Sequence, residues 1–85
     1  MAKVTIYTRM FCPFCSHAMK LLKSKNIELT HIDAGMNAAA KQEMIQRSGG
    51  ARTFPQIFVG ETHIGGCDEM MAMERAGQLD ALLAV

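Results

Sequence analysis

Cys12 and Cys15 stand in the run Met10-Phe11-Cys12-Pro13-Phe14-Cys15, with two residues between them. At that spacing one thiolate can attack a disulfide and the other can close on the first. The pair follows a strand-like segment, Lys3-Val4-Thr5-Ile6-Tyr7, and opens a helix-like one, Ser16 to Lys25. A helix N-terminus leaves backbone N–H groups unpaired and carries about half a positive charge. Pro13 suits the first helical position, where its missing N–H has no intrahelical partner to lose. Cys12 is then the cap residue, exposed, with its sulfur near the N–H groups of Phe14 and Cys15. Those donors favour the thiolate, which is the nucleophile. Cys15 lies one turn further in, on the core-facing side, and within reach of Cys12.

The same residues admit two other readings. Free cysteines are often buried as small apolar side chains. Met10-x-Cys12-x-x-Cys15 also matches the loop by which soft-metal chaperones hold Cu(I), the ion that soft thiolates select. Against that metal carrier stand Pro13, which stiffens the turn, and an element order other than the expected β-α-β-β-α-β.

Two further stretches bear on chemistry. Thr53-Phe54-Pro55 precedes an apolar run, and a proline there marks an edge or a strand start. It is either an ordinary trans proline or a cis one beside the thiols. The cis form would leave the Phe54 backbone free to pair with an extended peptide. Gly65-Gly66-Cys67-Asp68-Glu69 reads as a hairpin exit and a capped helix. Gly66 lets a ligand come close to backbone, a helix N-terminus there can bind a carboxylate, and Asp68 could hold an ammonium group. Cys67 reads as a small apolar residue, a ligand contact or a redox-sensitive third sulfur. His17, His31 and His63 are scattered over different elements and predict no metal site. The eight methionines are mostly core filler.

The elements that position these residues follow from local pattern. Val4 to Thr8 is a β-branched and aromatic strand. Pro13 to about Lys25 is a helix with Cys15, Ala18, Met19 and Leu22 facing the core and Lys20 and Lys23 facing water. Glu28 to Asp33 is a second strand, with Leu29 and His31 alternating against Thr30 and Ile32. Asn37 caps a second helix that runs to Arg47 and ends at Gly49-Gly50. Gln56 to Val59 and Thr62 to Ile64 form a hairpin about Gly60-Glu61. Asp68 caps a third helix to Ala76, and Leu79 to Val85 forms a short last one. The first β-α-β unit should be parallel and right-handed. The sum is an α/β chain whose central sheet carries helices on both faces.

Size and composition set the bounds. At 85 residues the chain makes one domain, 1–85, with a single core. Three cysteines, two of them in one short motif, do not make a disulfide framework. No secretory signal or membrane-length apolar run is read, so the expected compartment is a reducing cytoplasm. A net charge of +1 without a basic run points to neither nucleic acid nor membrane.

Taken together, Cys12-Pro13-Phe14-Cys15, Thr53-Phe54-Pro55 and Gly65-Gly66-Cys67-Asp68 resemble the glutaredoxin family, over nearly the whole chain. The resemblance is strongest to its short bacterial dithiol branch of the glutaredoxin 3 type, with a Gln-Ile-Phe strand and an Ile-Gly-Gly-Cys-Asp turn. It implies a thioredoxin-like fold, a four-stranded mixed sheet flanked by helices on both faces, with a cis Pro55. It implies a glutathione-dependent thiol–disulfide oxidoreductase in which Cys12 is the nucleophile and Cys15 the resolving thiol. Glutathione is then reductant and co-substrate, with no tightly bound cofactor and no metal. Arg9 and Gln42 match glutathione contacts. Thr53, Phe54 and Pro55 match the backbone-pairing site, and Gly66, Cys67 and Asp68 the γ-glutamyl site. Phe14 stands where the family more often has Tyr, and Phe54 where it more often has Val; both alter the groove and leave the thiol chemistry intact. Implied partners are disulfide-containing or glutathionylated proteins, ribonucleotide reductase among them, met by a monomer. An iron–sulfur scaffold of two chains is the rival within the family, and Pro13 weighs against it.

Overall fold

The computed structural model describes residues 2–84. Four strands, β1 (Lys3–Thr8), β2 (Glu28–Asp33), β3 (Gln56–Val59) and β4 (Thr62–Gly65), form one sheet in the order β2-β1-β3-β4. Four helices, α1 (Pro13–Lys23), α2 (Ala38–Arg47), α3 (Cys67–Arg75) and α4 (Gln78–Leu83), complete the described residues. β1 pairs parallel with β2, Val4 opposite Leu29, and antiparallel with β3, Ile6 opposite Ile57. The sheet is therefore mixed. No helix among the described residues is long and apolar enough to cross a membrane.

Strand alternation divides the interior in two. Val4, Ile6, Ile57 and Val59 face Ala18 and Leu22 of α1, Met70 of α3, and Leu79 and Leu83 of α4. Tyr7 and Phe58 point the other way, to Met44 of α2 and to Ala34. Leu29 of β2 packs with the first cluster and Ile32 with the second, so helices cover both faces. Burying a side chain such as Leu22 completely is worth about 1.5–3 kcal/mol, so these clusters hold the layers together. Tyr7 and Phe58 also tie α2 down. The Arg47 guanidinium lies 4.3 Å from the Phe58 ring centre and donates to the Tyr7 hydroxyl over 2.9 Å, while the same hydroxyl donates to Glu43.

Several boundaries differ from the sequence expectation. α1 stops at Lys23, because Ser24 caps it and turns its hydroxyl onto the Leu21 carbonyl over 2.6 Å. Lys25, outside the helix, pairs instead with Glu74 of α3 at 2.9 Å and Asp80 of α4 at 2.8 Å. β4 runs one residue further, to Gly65. Asp68 does not cap α3: Gly66 does, and Asp68 sits inside the first turn. The cap N–H is satisfied by Glu69, whose carboxylate accepts it over 2.6 Å. The last helix begins at Gln78 and ends at Leu83, and Val85 lies outside the described residues. Asn37 does cap α2, its side-chain oxygen accepting the Ala40 N–H over 3.0 Å.

Candidate active site

Cys12 is the N-cap of α1, with φ −109° and ψ 103° and Pro13 next in line. Its Sγ accepts the Cys15 N–H over 3.2 Å. Of the two donors expected there, only Cys15 makes the bond. Phe11, just before it, has φ 56°, a left-handed conformation unusual for an aromatic residue, and is 95% exposed. Cys12 itself is buried, contrary to the expectation of an exposed cap. The reason is tertiary. Cys15, itself buried, and Arg9 stand against the sulfur where a helix start alone would leave water.

Burial by itself raises the Cys12 pKa. The Cys15 thiol, the Cys15 N–H and the Arg9 guanidinium reverse that effect and leave it below its ordinary value. The Cys15 thiol is pushed up to about 12, by burial first and then by the neighbouring Cys12. The pair is therefore unequal: the Cys12 thiol loses its proton more readily than an ordinary thiol, and the Cys15 thiol keeps its own. This is a nucleophile next to a proton-bearing partner.

Two grooves flank this region, and one of them is lined by the pair itself. The narrower, about 190 Å³, is lined by Phe14, Thr53, Phe54, Pro55, Gly66, Cys67, Asp68 and Glu69. The structure thus gathers seven residues singled out in the sequence, from three separate stretches, into one concavity. The Phe54–Pro55 peptide is cis. Gly66 lets α3 approach this loop closely: a Cβ there would lie 3.2 Å from the Pro55 carbonyl oxygen, a tight contact. The wider groove, about 900 Å³, runs along α1 and takes in Arg9, Cys12 and Cys15. Arg9 lines this wider groove and not the narrow one. Gln42 is exposed on α2 and lines neither.

Cys67 occupies the first helical position of α3 and is buried. Burial, then Asp68, Cys12 and Glu69, raise its pKa, so it stays a thiol. Sequence reasoning missed Gln56. Its buried side chain donates to the Thr53 carbonyl over 3.0 Å and to the Thr53 hydroxyl over 3.1 Å, and its amide oxygen pairs with His63 at 2.7 Å. Gln56 thus ties down the loop that walls the narrow groove. A polar residue at the start of an apolar strand was the available signal. Glu69, which lines the groove and holds the Gly66 N–H, was also missed as a site residue.

The order β-α-β-α-β-β-α-α is not that of the soft-metal chaperones, so the Met-x-Cys-x-x-Cys match loses its structural ground. Among the described residues no cluster of three or more His, Cys, Asp or Glu side chains is placed to hold an ion.

Comparison with known proteins agrees with this geometry. The glutaredoxin family model matches residues 4–64. Glutaredoxin 3 of Escherichia coli K12 is 48% identical over 83 residues, covering 98% of this chain and 99% of its own length. The solution structure of a glutaredoxin from Brucella melitensis superposes with a TM-score of 0.81 at 49% identity, covering 98% of this chain and 89% of that one. A crystal structure of a buckwheat glutaredoxin–glutathione complex superposes with a TM-score of 0.84 at 29% identity, covering 98% of this chain and 77% of that one. A thioredoxin-like sheet, a capped cysteine pair and relatives matched end to end lead to one conclusion: this chain belongs to the glutaredoxin family.

Proposed function

We propose that this protein is a glutathione-dependent thiol–disulfide oxidoreductase that reduces protein disulfides and protein–glutathione mixed disulfides. The observation that carries this reading is the unequal cysteine pair: Cys12 at a helix cap, its sulfur bonded by the Cys15 N–H and its pKa lowered, and Cys15 one turn inside with its pKa raised. In the dithiol route the Cys12 thiolate attacks one sulfur of a substrate disulfide and displaces the other as a thiolate. Cys15, losing its proton, then attacks the Cys12 sulfur and releases the reduced substrate. Two molecules of glutathione restore the Cys12–Cys15 bond to thiols and leave as glutathione disulfide. In the monothiol route Cys12 takes glutathione from a mixed disulfide and passes it to a second glutathione.

The narrow groove is the seat assigned to glutathione. The buckwheat glutaredoxin solved in complex with glutathione supports glutathione as the ligand. The Thr53–Phe54 backbone pairs with its extended chain, while the α3 N-terminus and Asp68 receive its γ-glutamyl end. Arg9 and Gln42 contact its carboxylates from outside this groove. The chain acts as one domain and a monomer in a reducing cytoplasm. Its substrates are disulfide-bearing or glutathionylated proteins, ribonucleotide reductase among the candidates.

The test is turnover of a glutathionylated peptide with glutathione as reductant. Release of the peptide thiol at a rate set by the protein supports the assignment, and its absence removes it. Cys15→Ser protein should hold its targets as stable mixed disulfides in cell extract, which identifies them.

A further inference from the structure

We infer that the wide groove along α1 seats an acidic segment of the protein disulfide substrate, next to the bond that Cys12 attacks. The inference rests on the oxidoreductase reading and deepens it by naming the substrate's chemistry.

The two grooves are built from opposite ends of the sheet. The narrow one draws on α3 and the loop before β3. The wide one is walled by α1 and by His31 of β2, the edge strand at the far end of the sheet order. It borders both Cys12 and Cys15, whereas the narrow one borders neither. Both thiols of the dithiol route are therefore reached from the wide side. A substrate sulfur seated there bonds to Cys12 as its disulfide partner leaves. Cys15, at the same wall, then attacks the Cys12 sulfur and frees the substrate's second thiolate. Two electrons pass from the enzyme thiols to the substrate, and glutathione resupplies them.

Charge selects the occupant. Arg9, Lys20 and Lys23 are the charged residues lining the wide groove, and no Asp or Glu does so. α1 contains no acidic residue to neutralise them. Among the described residues neither Lys20 nor Lys23 has an ion-pair partner; the ion pairs all gather on Lys25. A wall carrying one sign of charge raises the local concentration of an oppositely charged ligand and discriminates against the same sign. Phe11 lines the same groove and is almost fully exposed, so an apolar contact lies beside the cations. An acidic peptide with an apolar residue near its cysteine fits this surface.

The test compares peptides that carry one intramolecular disulfide flanked by Glu, Ser or Lys, reduced with glutathione at low ionic strength. The wild type should prefer the Glu-flanked peptide. Lys20→Glu/Lys23→Glu should raise its KM by roughly tenfold and leave the Ser-flanked peptide unchanged. Lys20→Gln/Lys23→Gln should fall between, which guards against a folding defect in the reversed variant. Added salt should erase the preference. An equal shift for all three peptides, or no shift, overturns the inference. A homodimer that dissolves on charge reversal would also overturn it, by giving the groove to a second copy. Turnover of a neutral glutathionylated peptide is the separate control. Its loss in the wild type would remove the oxidoreductase reading itself, whereas its retention beside a flat charge profile would remove the docking inference alone.

Discussion

Two helices of this protein begin at a cysteine, and folding shifts the two thiols in opposite directions. Cys12 at α1 and Cys67 at α3 are 7% and 6% exposed, so burial does not separate them. Position does. Cys12 is the cap itself and its sulfur takes a backbone N–H, whereas at α3 the cap is Gly66 and Cys67 is already inside the helix. First-turn chemistry does so as well. α1 has no acidic residue there and has Arg9 nearby, while α3 carries Asp68 and Glu69. One thiol is lowered and the other raised. A helix N-terminus therefore activates a cysteine only when the sulfur itself receives the donors and the neighbouring side chains do not cancel the dipole.

The largest effect expected from this contrast is on turnover. Cys12→Ser should reduce all thiol transfer by about three orders of magnitude or more, since the nucleophile is gone. Cys15→Ser should keep glutathione mixed-disulfide reduction and lose reduction of intramolecular protein disulfides. Assaying both variants on a glutathionylated peptide and on a protein disulfide checks this. Activity surviving in Cys12→Ser would mean that Cys67 or Cys15 can act as nucleophile, and the contrast would break.

Alkylation rates should show the next largest effect. In a Cys67→Ser background, iodoacetamide should modify Cys12 with a midpoint below the free-thiol value of about 8.5. In a Cys12→Ser/Cys15→Ser background Cys67 should react only above that value, because its folded pKa is raised. A shared midpoint would erase the distinction.

A smaller effect should follow from exchanging first-turn charge. Phe14 and Asp68 occupy the same position, the second of their helices. Phe14→Asp should raise the Cys12 midpoint and Asp68→Asn should lower that of Cys67, each by an amount worth about 0.3–1 kcal/mol. Movement of one without the other would show that capping, not first-turn charge, governs the pair.

The smallest effect should appear in stability against pH. A thiol raised by folding stays protonated in the native state while the unfolded chain ionises. Its contribution is complete below the unfolded pKa and is lost as pH rises from there towards the folded one. Cys67→Ser should therefore lose less melting temperature than wild type between pH 8 and 10. Cys12, lowered by folding, acts with the opposite sign: it stabilises above its unfolded pKa and loses that stability as pH falls through the folded one.

Local signals made most of the fold legible. The Asn37 cap, the β-branched runs and the Pro13 start depend on neighbours in the chain, and the elements they mark stand where expected. The misplaced α3 cap had a local cause too. Asp68 is a good capping residue by type, yet Glu69 reaches back to Gly66 and starts the helix earlier. The narrow groove was legible because its walls are short motifs, recognisable in combination. The wide groove was not. Lys20 and Lys23 read as the water face of a helix and His31 as part of a strand, and only the tertiary fold puts them on one wall.

By itself the sequence determined the reacting atoms and their order: a sulfur at a helix cap, a second one turn inside, and a strand to hold them. These are consequences of spacing over a few residues, where backbone geometry leaves little choice. Tertiary structure decided the state of each sulfur. Burial of Cys12, the approach of Arg9, the carboxylates beside Cys67 and the two separate approaches depend on distances between segments remote in the chain. Electrostatic interactions follow those distances and the surrounding dielectric, and sequence separation reports neither.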